Sequence, residues 1–165
     1  MNIRRLSLVM GVLFAWVAIA PTPAQANCAA LSLCSCTVST TGISFGSYDP
    51  VSSANTDSTG SVRVVCTLLV ALAGSYRIDL STGSSGSYAQ RTLTNGPSIL
   101  NYNLYTDVAY GQIVGNGSGG SSSITSNFLA LLFLDQSTTI YGRIPGSQNV
   151  SAGSYSDTIT VTVTY

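Results

Sequence analysis

The chain contains no histidine, no glutamate and no lysine, and only 7% of its residues are charged. A typical soluble domain carries about 25%. Without histidine, neither a Ser-His-Asp triad nor a Cys-His pair can be assembled. The six basic residues are all Arg and the six acidic ones all Asp. Arg4 and Arg5 sit at the extreme N-terminus, so the rest of the chain has four Arg against six Asp. No basic patch is available to hold a phosphate backbone, which argues against nucleic acid. Low charge also leaves solubility unprotected by repulsion, and such a surface suits a protein that assembles.

The aspartates are scattered rather than paired. Asp49, Asp57, Asp107, Asp135 and Asp157 read as turn-forming residues. Calcium would need several oxygens to converge, and paired-carboxylate hydrolysis needs two Asp in one cleft. Gly115–Gly120 resembles a phosphate cradle only superficially, because no Lys-Ser/Thr and no helix follow it. The whole stretch Gly111–Ser123 reads as a mobile loop. No enzymatic activity and no cofactor are expected.

The N-terminus reads as an export signal. Arg4 and Arg5 precede an apolar stretch from Leu6 to Ala20, which Pro21 and Pro23 break. Ala24-Gln25-Ala26 has the small-x-small form of a cleavage site, placing the cut between Ala26 and Asn27. The apolar run is short for a membrane span, which needs about 20 residues. Residues 27–165 then form one domain, with no membrane anchor after cleavage.

Four cysteines follow: Cys28, Cys34, Cys36 and Cys66. In an exported chain an even number implies disulfides, and four allow three connectivities. Cys36 and Cys66 each lie in a strand-like run, so they are paired here, leaving Cys28 to Cys34. A metal held by the N-terminal trio is the competing reading.

Strands dominate what remains. Thr37–Gly46 reads as a strand interrupted near Gly42, followed by a polar loop over Ser47–Gly60. Ser61–Val70 is apolar. Ser75–Ser81 alternates, with Tyr76, Ile78 and Leu80 inward and Arg77 and Asp79 outward. In Ile99–Asp107 the inward set is Leu100, Tyr102 and Leu104. Phe128–Leu134 and Ser137–Ile144 are two further strands. Short strands between Gly- and Ser-rich turns predict an all-β sandwich.

The terminal stretch Asp157–Tyr165 is the most regular. Ile159, Val161, Val163 and Tyr165 share one face, and four threonines share the other. Such a strand wants partners on both edges. We expect it to border a sheet lacking its next member, which another polypeptide supplies.

With these strands laid out, the sequence resembles the spore coat protein U domain family, which includes subunits of archaic chaperone–usher pili. The resemblance is carried by Ile43-Ser44-Phe45-Gly46-Ser47-Tyr48-Asp49-Pro50, Tyr76-Arg77-Ile78-Asp79-Leu80, Arg91-Thr92-Leu93, Leu100-Asn101-Tyr102-Asn103-Leu104-Tyr105, Tyr141-Gly142-Arg143-Ile144-Pro145 and Gly153-Ser154-Tyr155-Ser156-Asp157-Thr158-Ile159. It implies an incomplete immunoglobulin-like β-sandwich of the pilin type, lacking its final strand. It further implies a periplasmic pilus chaperone, an outer-membrane usher and neighbouring fibre subunits as partners. A donated strand fills the groove by β-augmentation. The location implied is the periplasm and then the cell surface or fimbrium, with a role in adhesion or biofilm formation. Groove residues are expected to be Ile159, Val161, Val163, Tyr165, Ile43 and Phe45, with Val38 beside them. Only Asn27–Ser35 precedes Cys36, roughly 30 Å when extended, so a strand acceptor that donates poorly is expected. The alternative is a self-complete secreted β-sandwich that binds a carbohydrate or surface through its Tyr- and Gly-rich loops. In that reading residues 29–33 would lie beside residues 158–164, and Tyr48, Tyr88, Tyr105 and Tyr110 would be exposed.

Overall fold

A computed structural model describes residues 25–27, 34–68, 72–130 and 132–165. The described chain forms nine strands: β1 Gln25–Asn27, β2 Cys34–Thr41, β3 Thr56–Leu68, β4 Leu72–Leu80, β5 Arg91–Asn95, β6 Ser98–Tyr105, β7 Ile124–Ala130, β8 Phe133–Ile144 and β9 Val161–Thr164. They make two antiparallel sheets, one in the order β1-β2-β3-β8-β6-β5 and one in the order β7-β4-β9. Apart from the Gly83–Ser85 3₁₀ turn, no helix occurs among the described residues, and none is long and apolar enough to cross a membrane.

The alternating patterns set the core. Val62, Val64, Cys66 and Leu68 of β3 point inward, against Leu134, Ile140 and Ile144 of β8. Tyr76, Ile78 and Leu80 of β4 close the core from the second sheet, and Leu100, Tyr102 and Leu104 of β6 from the first. Side chains two apart share a face, so each buried set falls in register without further instruction.

Several expectations change. β3 starts at Thr56, inside the stretch read as a loop, because Thr56–Gly60 pairs with Ile140–Ile144 of β8. The run Phe128–Leu134 is divided between β7 and β8. Leu132 has φ 107° and its carbonyl accepts from the Leu68 amide, which ends the ladder there. Asp79, expected outward, lies on the face away from the core but is buried beside Arg77. Asp57 and Asp135 are strand residues, not turn formers. Asp57 lies opposite Arg143 in the β3–β8 ladder and bonds it, while Asp135, opposite Val65, bonds Arg63 diagonally across the same ladder. Asp49 and Asp107 do form turns, accepting from the Val51 and Ala109 amides.

The Gly111–Ser123 segment, read from sequence as a mobile loop, is tied to its neighbours by backbone hydrogen bonds. The Val114 amide donates to the Leu104 carbonyl, the Thr106 amide to Gln112, the Gly115 amide to Ser122, and the Ser122 amide to Ile113. Val114 is fully buried. Beneath it lies Arg91 at 0% exposure. Its guanidinium donates to the Ser81 carbonyl, the Val114 carbonyl and Asn103 Oδ1 at 2.8–3.1 Å. Burial lowers its pKa, and carbonyl dipoles carry much of the charge's compensation.

Cys36 and Cys66 face each other across the β2–β3 ladder and are disulfide-bonded. Cys28 lies outside the described residues, and with it the Cys28–Cys34 pairing. Ala26 and Asn27, the expected cleavage position, lie in β1 and pair with Cys36 and Ser35.

Candidate functional site

One wall of a long cleft is the chain that leaves β2. The ladder ends at Thr41, and residues 42–49 run on without regular pairing. Ile43 and Phe45 are pressed against glycines of two inner strands. A Cβ on Gly60 would lie 2.7 Å from Ile43 Cγ1, and one on Gly142 would lie 2.8 Å from Phe45 Cζ. Those glycines are therefore seats for the wall's apolar side chains. Phe45 also meets Tyr102 edge-on, with ring centroids 6.0 Å apart. Farther along, Ser58 donates to the Ser44 carbonyl, while the Tyr48 hydroxyl donates to Pro145 and accepts from the Gln148 amide.

The opposite wall is the terminal ribbon. Ser156 exchanges two backbone hydrogen bonds with Thr94 of β5. Thr160 then bonds Ser81 through its carbonyl and its amide. From Val161 the ribbon becomes β9 and pairs with β4, Val163 opposite Ile78. The ribbon thus crosses from one sheet to the other along a single edge. Regular pairing is shorter than the sequence suggests, because Asp157–Thr160 is tied to loop and side-chain groups rather than to a ladder. No described strand pairs with the other edge of β9.

Period two nevertheless persists through the ribbon. Asp157, Ile159, Val161, Val163 and Tyr165 are half-buried, and Thr158, Thr160, Thr162 and Thr164 are exposed. The apolar members pack on the core without being sealed by it, as do Val38, Ile43, Phe45, Leu93 and Val150. Tyr165 stacks near Tyr76, with centroids 6.2 Å apart. Its hydroxyl is buried without a hydrogen-bond partner, and burial raises its pKa.

Between the walls are two compartments. The larger, about 810 Å³, is bounded by Phe45, Leu100, Ile144, Val150 and Tyr155 and also by serines of both walls, Ser44 and Ser47 on one and Ser151, Ser154 and Ser156 on the other. The smaller, about 230 Å³, is bounded by Ile43, Leu80, Tyr102, Leu104, Ile159 and Val161. Asp157 borders both. It is not a simple turn former. Oδ1 accepts from the Ser84 amide at 2.9 Å and from the Thr158 amide at 2.8 Å, and Oδ2 accepts from the Tyr102 hydroxyl at 2.7 Å. Burial first, and then this hydrogen bond, holds the Tyr102 phenol protonated well above its usual range.

The sequence-predicted groove residues therefore converge: Ile43 and Phe45 on one wall, Ile159 and Val161 on the other. Val163 and Tyr165 continue the second wall beyond the compartments, over β4. Sequence reasoning missed Asp157, although it is in phase with Ile159 and Val161. It also missed Gly60 and Gly142, whose signal was a glycine inside an otherwise regular strand.

The tyrosines offer less. Tyr88 donates to the Leu80 carbonyl. Tyr105, Tyr110 and Tyr141 meet edge-on, and the Arg143 guanidinium lies 3.6 Å above the Tyr110 ring. None of Tyr48, Tyr88, Tyr105 and Tyr110 is exposed, and each spends its hydroxyl or ring on a neighbour. Residues 29–33, which the self-complete reading places beside the terminal ribbon, lie outside the described residues. Among the described residues no cluster of three His, Cys, Asp or Glu could hold a metal.

Two antiparallel sheets with a cleft along the terminal ribbon define an all-β sandwich open on one edge of its last strand. The chain belongs to the Spore Coat Protein U domain family, whose model matches residues 22–162. It is 36% identical over 132 residues to Protein U of Myxococcus xanthus, covering 74% of this chain and 71% of that protein. Its fold is similar to that of a chain in the chaperone–tip adhesion subunit pre-assembly complex from archaic chaperone–usher Csu pili of Acinetobacter baumannii. That match has a TM-score of 0.53 at 18% identity and covers 81% of this chain. It spans only 40% of the other chain, and at that identity the likeness is one of fold.

Proposed function

We propose that the protein is a structural, non-catalytic subunit of a cell-surface fibre of the archaic chaperone–usher type, assembled by donor-strand complementation. The observation that carries this reading is the cleft along the terminal ribbon that leads into β9. A terminal strand paired on one edge, half-buried apolar side chains and two open compartments are what an added strand would cover. An extended segment there would bond the free edge and fill the compartments with alternate side chains. After removal of residues 1–26, a periplasmic pilus chaperone supplies that strand first. At the outer-membrane usher, a neighbouring subunit replaces it. The fibre then supports adhesion or biofilm formation. Membership of the family and the likeness of fold to one chain of a chaperone–subunit complex support the assignment.

The test is co-expression of the exported chain with and without a matching chaperone. Alone, the chain is expected to aggregate or melt at low temperature. With chaperone it should elute as a soluble 1:1 complex, and Ile159→Asp or Val161→Asp should abolish that complex. A lone chain that is monodisperse and equally heat-resistant without chaperone would refute the assignment.

A further inference from the structure

We propose that Asp157 sets the register of the strand that completes the sandwich, by selecting a small hydrogen-bond donor in that strand between two apolar stretches. This rests on the strand-acceptor reading above and deepens it.

Apolar alternation alone cannot define register. A slip of one residue turns every side chain to the wrong face, so it is rejected. A slip of two residues restores the alternation and leaves the apolar pattern nearly as well satisfied. Something must break that degeneracy. Asp157 is the charged group that borders both compartments. It occupies the inward phase of the ribbon, two residues from Tyr155 in the larger compartment and two from Ile159 in the smaller.

Its carboxylate is held in place. Tyr102 and Ser84 fix it from the β6 strand and from the turn after β4. Gly83, at φ 66°, makes the space, since a Cβ there would collide with the Asp157 carboxylate. A carboxylate offers about four acceptor positions. Oδ1 accepts two hydrogen bonds and Oδ2 accepts one, which leaves an acceptor position on Oδ2. Covering that position with a Leu or Val would remove water from a charged oxygen and return nothing. A Ser, Asn or short cationic side chain, or a Gly that admits water, would satisfy it. The occupant is therefore an extended segment with apolar residues at both ends and one small donor residue facing Asp157.

Varying the occupant tests this without disturbing the fold. The full chain is refolded with synthetic extended peptides that differ at one central position: Ser, Asn, 2,3-diaminopropionate or Leu. A spin label at one peptide end reports register through its distance to a label on an exposed β9 threonine. The donor-bearing peptides should dissociate at least about tenfold more slowly than the Leu peptide. Moving Ser by two positions should move the label by two residues, about 7 Å. The 2,3-diaminopropionate peptide should outlast the Ser peptide, because a cationic donor bonds a carboxylate more strongly than a hydroxyl does, and in Asp157→Asn that advantage should disappear. Equal lifetimes for all four peptides with a stationary label would overturn the role of Asp157 and leave strand acceptance standing. If no peptide is captured, strand acceptance itself fails, and the inference with it.

Discussion

Removing the Cys36–Cys66 bond should weaken the fold by an amount that follows from its position in the chain. The cysteines are 30 residues apart in sequence and both sulfurs lie in the core. In the chain-entropy relation, closing a loop of that length removes about 12 cal/mol/K from the unfolded ensemble, or about 3.6 kcal/mol at 25 °C. Against a total stability of about 5–15 kcal/mol, this is a large fraction. For a domain of this size it corresponds to a loss of about 7–14 °C in melting temperature. The assay is urea unfolding of the refolded chain, oxidised and reduced, followed by tyrosine fluorescence and circular dichroism. A Cys36→Ala/Cys66→Ala double variant provides the second measurement. If both perturbations left the unfolding free energy within about 1 kcal/mol of the oxidised chain, the entropic reasoning would be wrong for this protein. The ladder pairing β2 to β3 would then already constrain the unfolded state.

Arg91→Ala should cost about 3 kcal/mol or more, because the Ser81 and Val114 carbonyls and Asn103 would be left buried without their donor. Arg91→Lys should recover little of this, since an ammonium lacks the planar fork; chemical denaturation checks both. Gly83→Ala should destabilise by about 1–3 kcal/mol, through its positive φ and its collision with Asp157. It should also release the Tyr102 phenol toward its ordinary pKa in an ultraviolet titration. On the outer face, hydrogen bonds from Arg143 and Arg63 hold the Asp57 and Asp135 carboxyls below their usual 3.8. A depressed folded pKa contributes stability that is complete above 3.8 and is lost as pH falls through the lower folded value. Melting temperature should therefore fall as the solution is acidified below that point. Asp57→Asn and Asp135→Asn should flatten this limb, and only modestly, because both pairs are solvent-screened.

Some features could be read from local pattern and others could not. Gly42 marks the end of the β2 ladder, and alternation names the buried faces of β4, β6 and the terminal ribbon. The polar start of β3 was invisible, because Thr56–Gly60 is held by backbone pairing to β8 and has almost no apolar side chains to signal it. The break between β7 and β8 was hidden because the apolar run continues through it, even though Leu129, Leu132 and Phe133 end up 79%, 61% and 60% exposed. Arg91 and Asp157 looked like surface residues by type. Apart from the Thr158 amide beside Asp157, their hydrogen-bond partners lie 10 to 73 residues away, beyond any local window.

The residue order by itself determined which side chains share a face, since strand geometry fixes a period of two along any extended segment. It also pointed to Cys36 and Cys66 as partners, each in a strand-like run, and the β2–β3 ladder is what brings them together. Only the tertiary structure decided where the cleft lies, because that depends on which strand edges meet across long loops. It also turned an aspartate in the apolar phase into the single carboxylate bordering both compartments, since Tyr102 and the Ser84 turn come from distant parts of the chain.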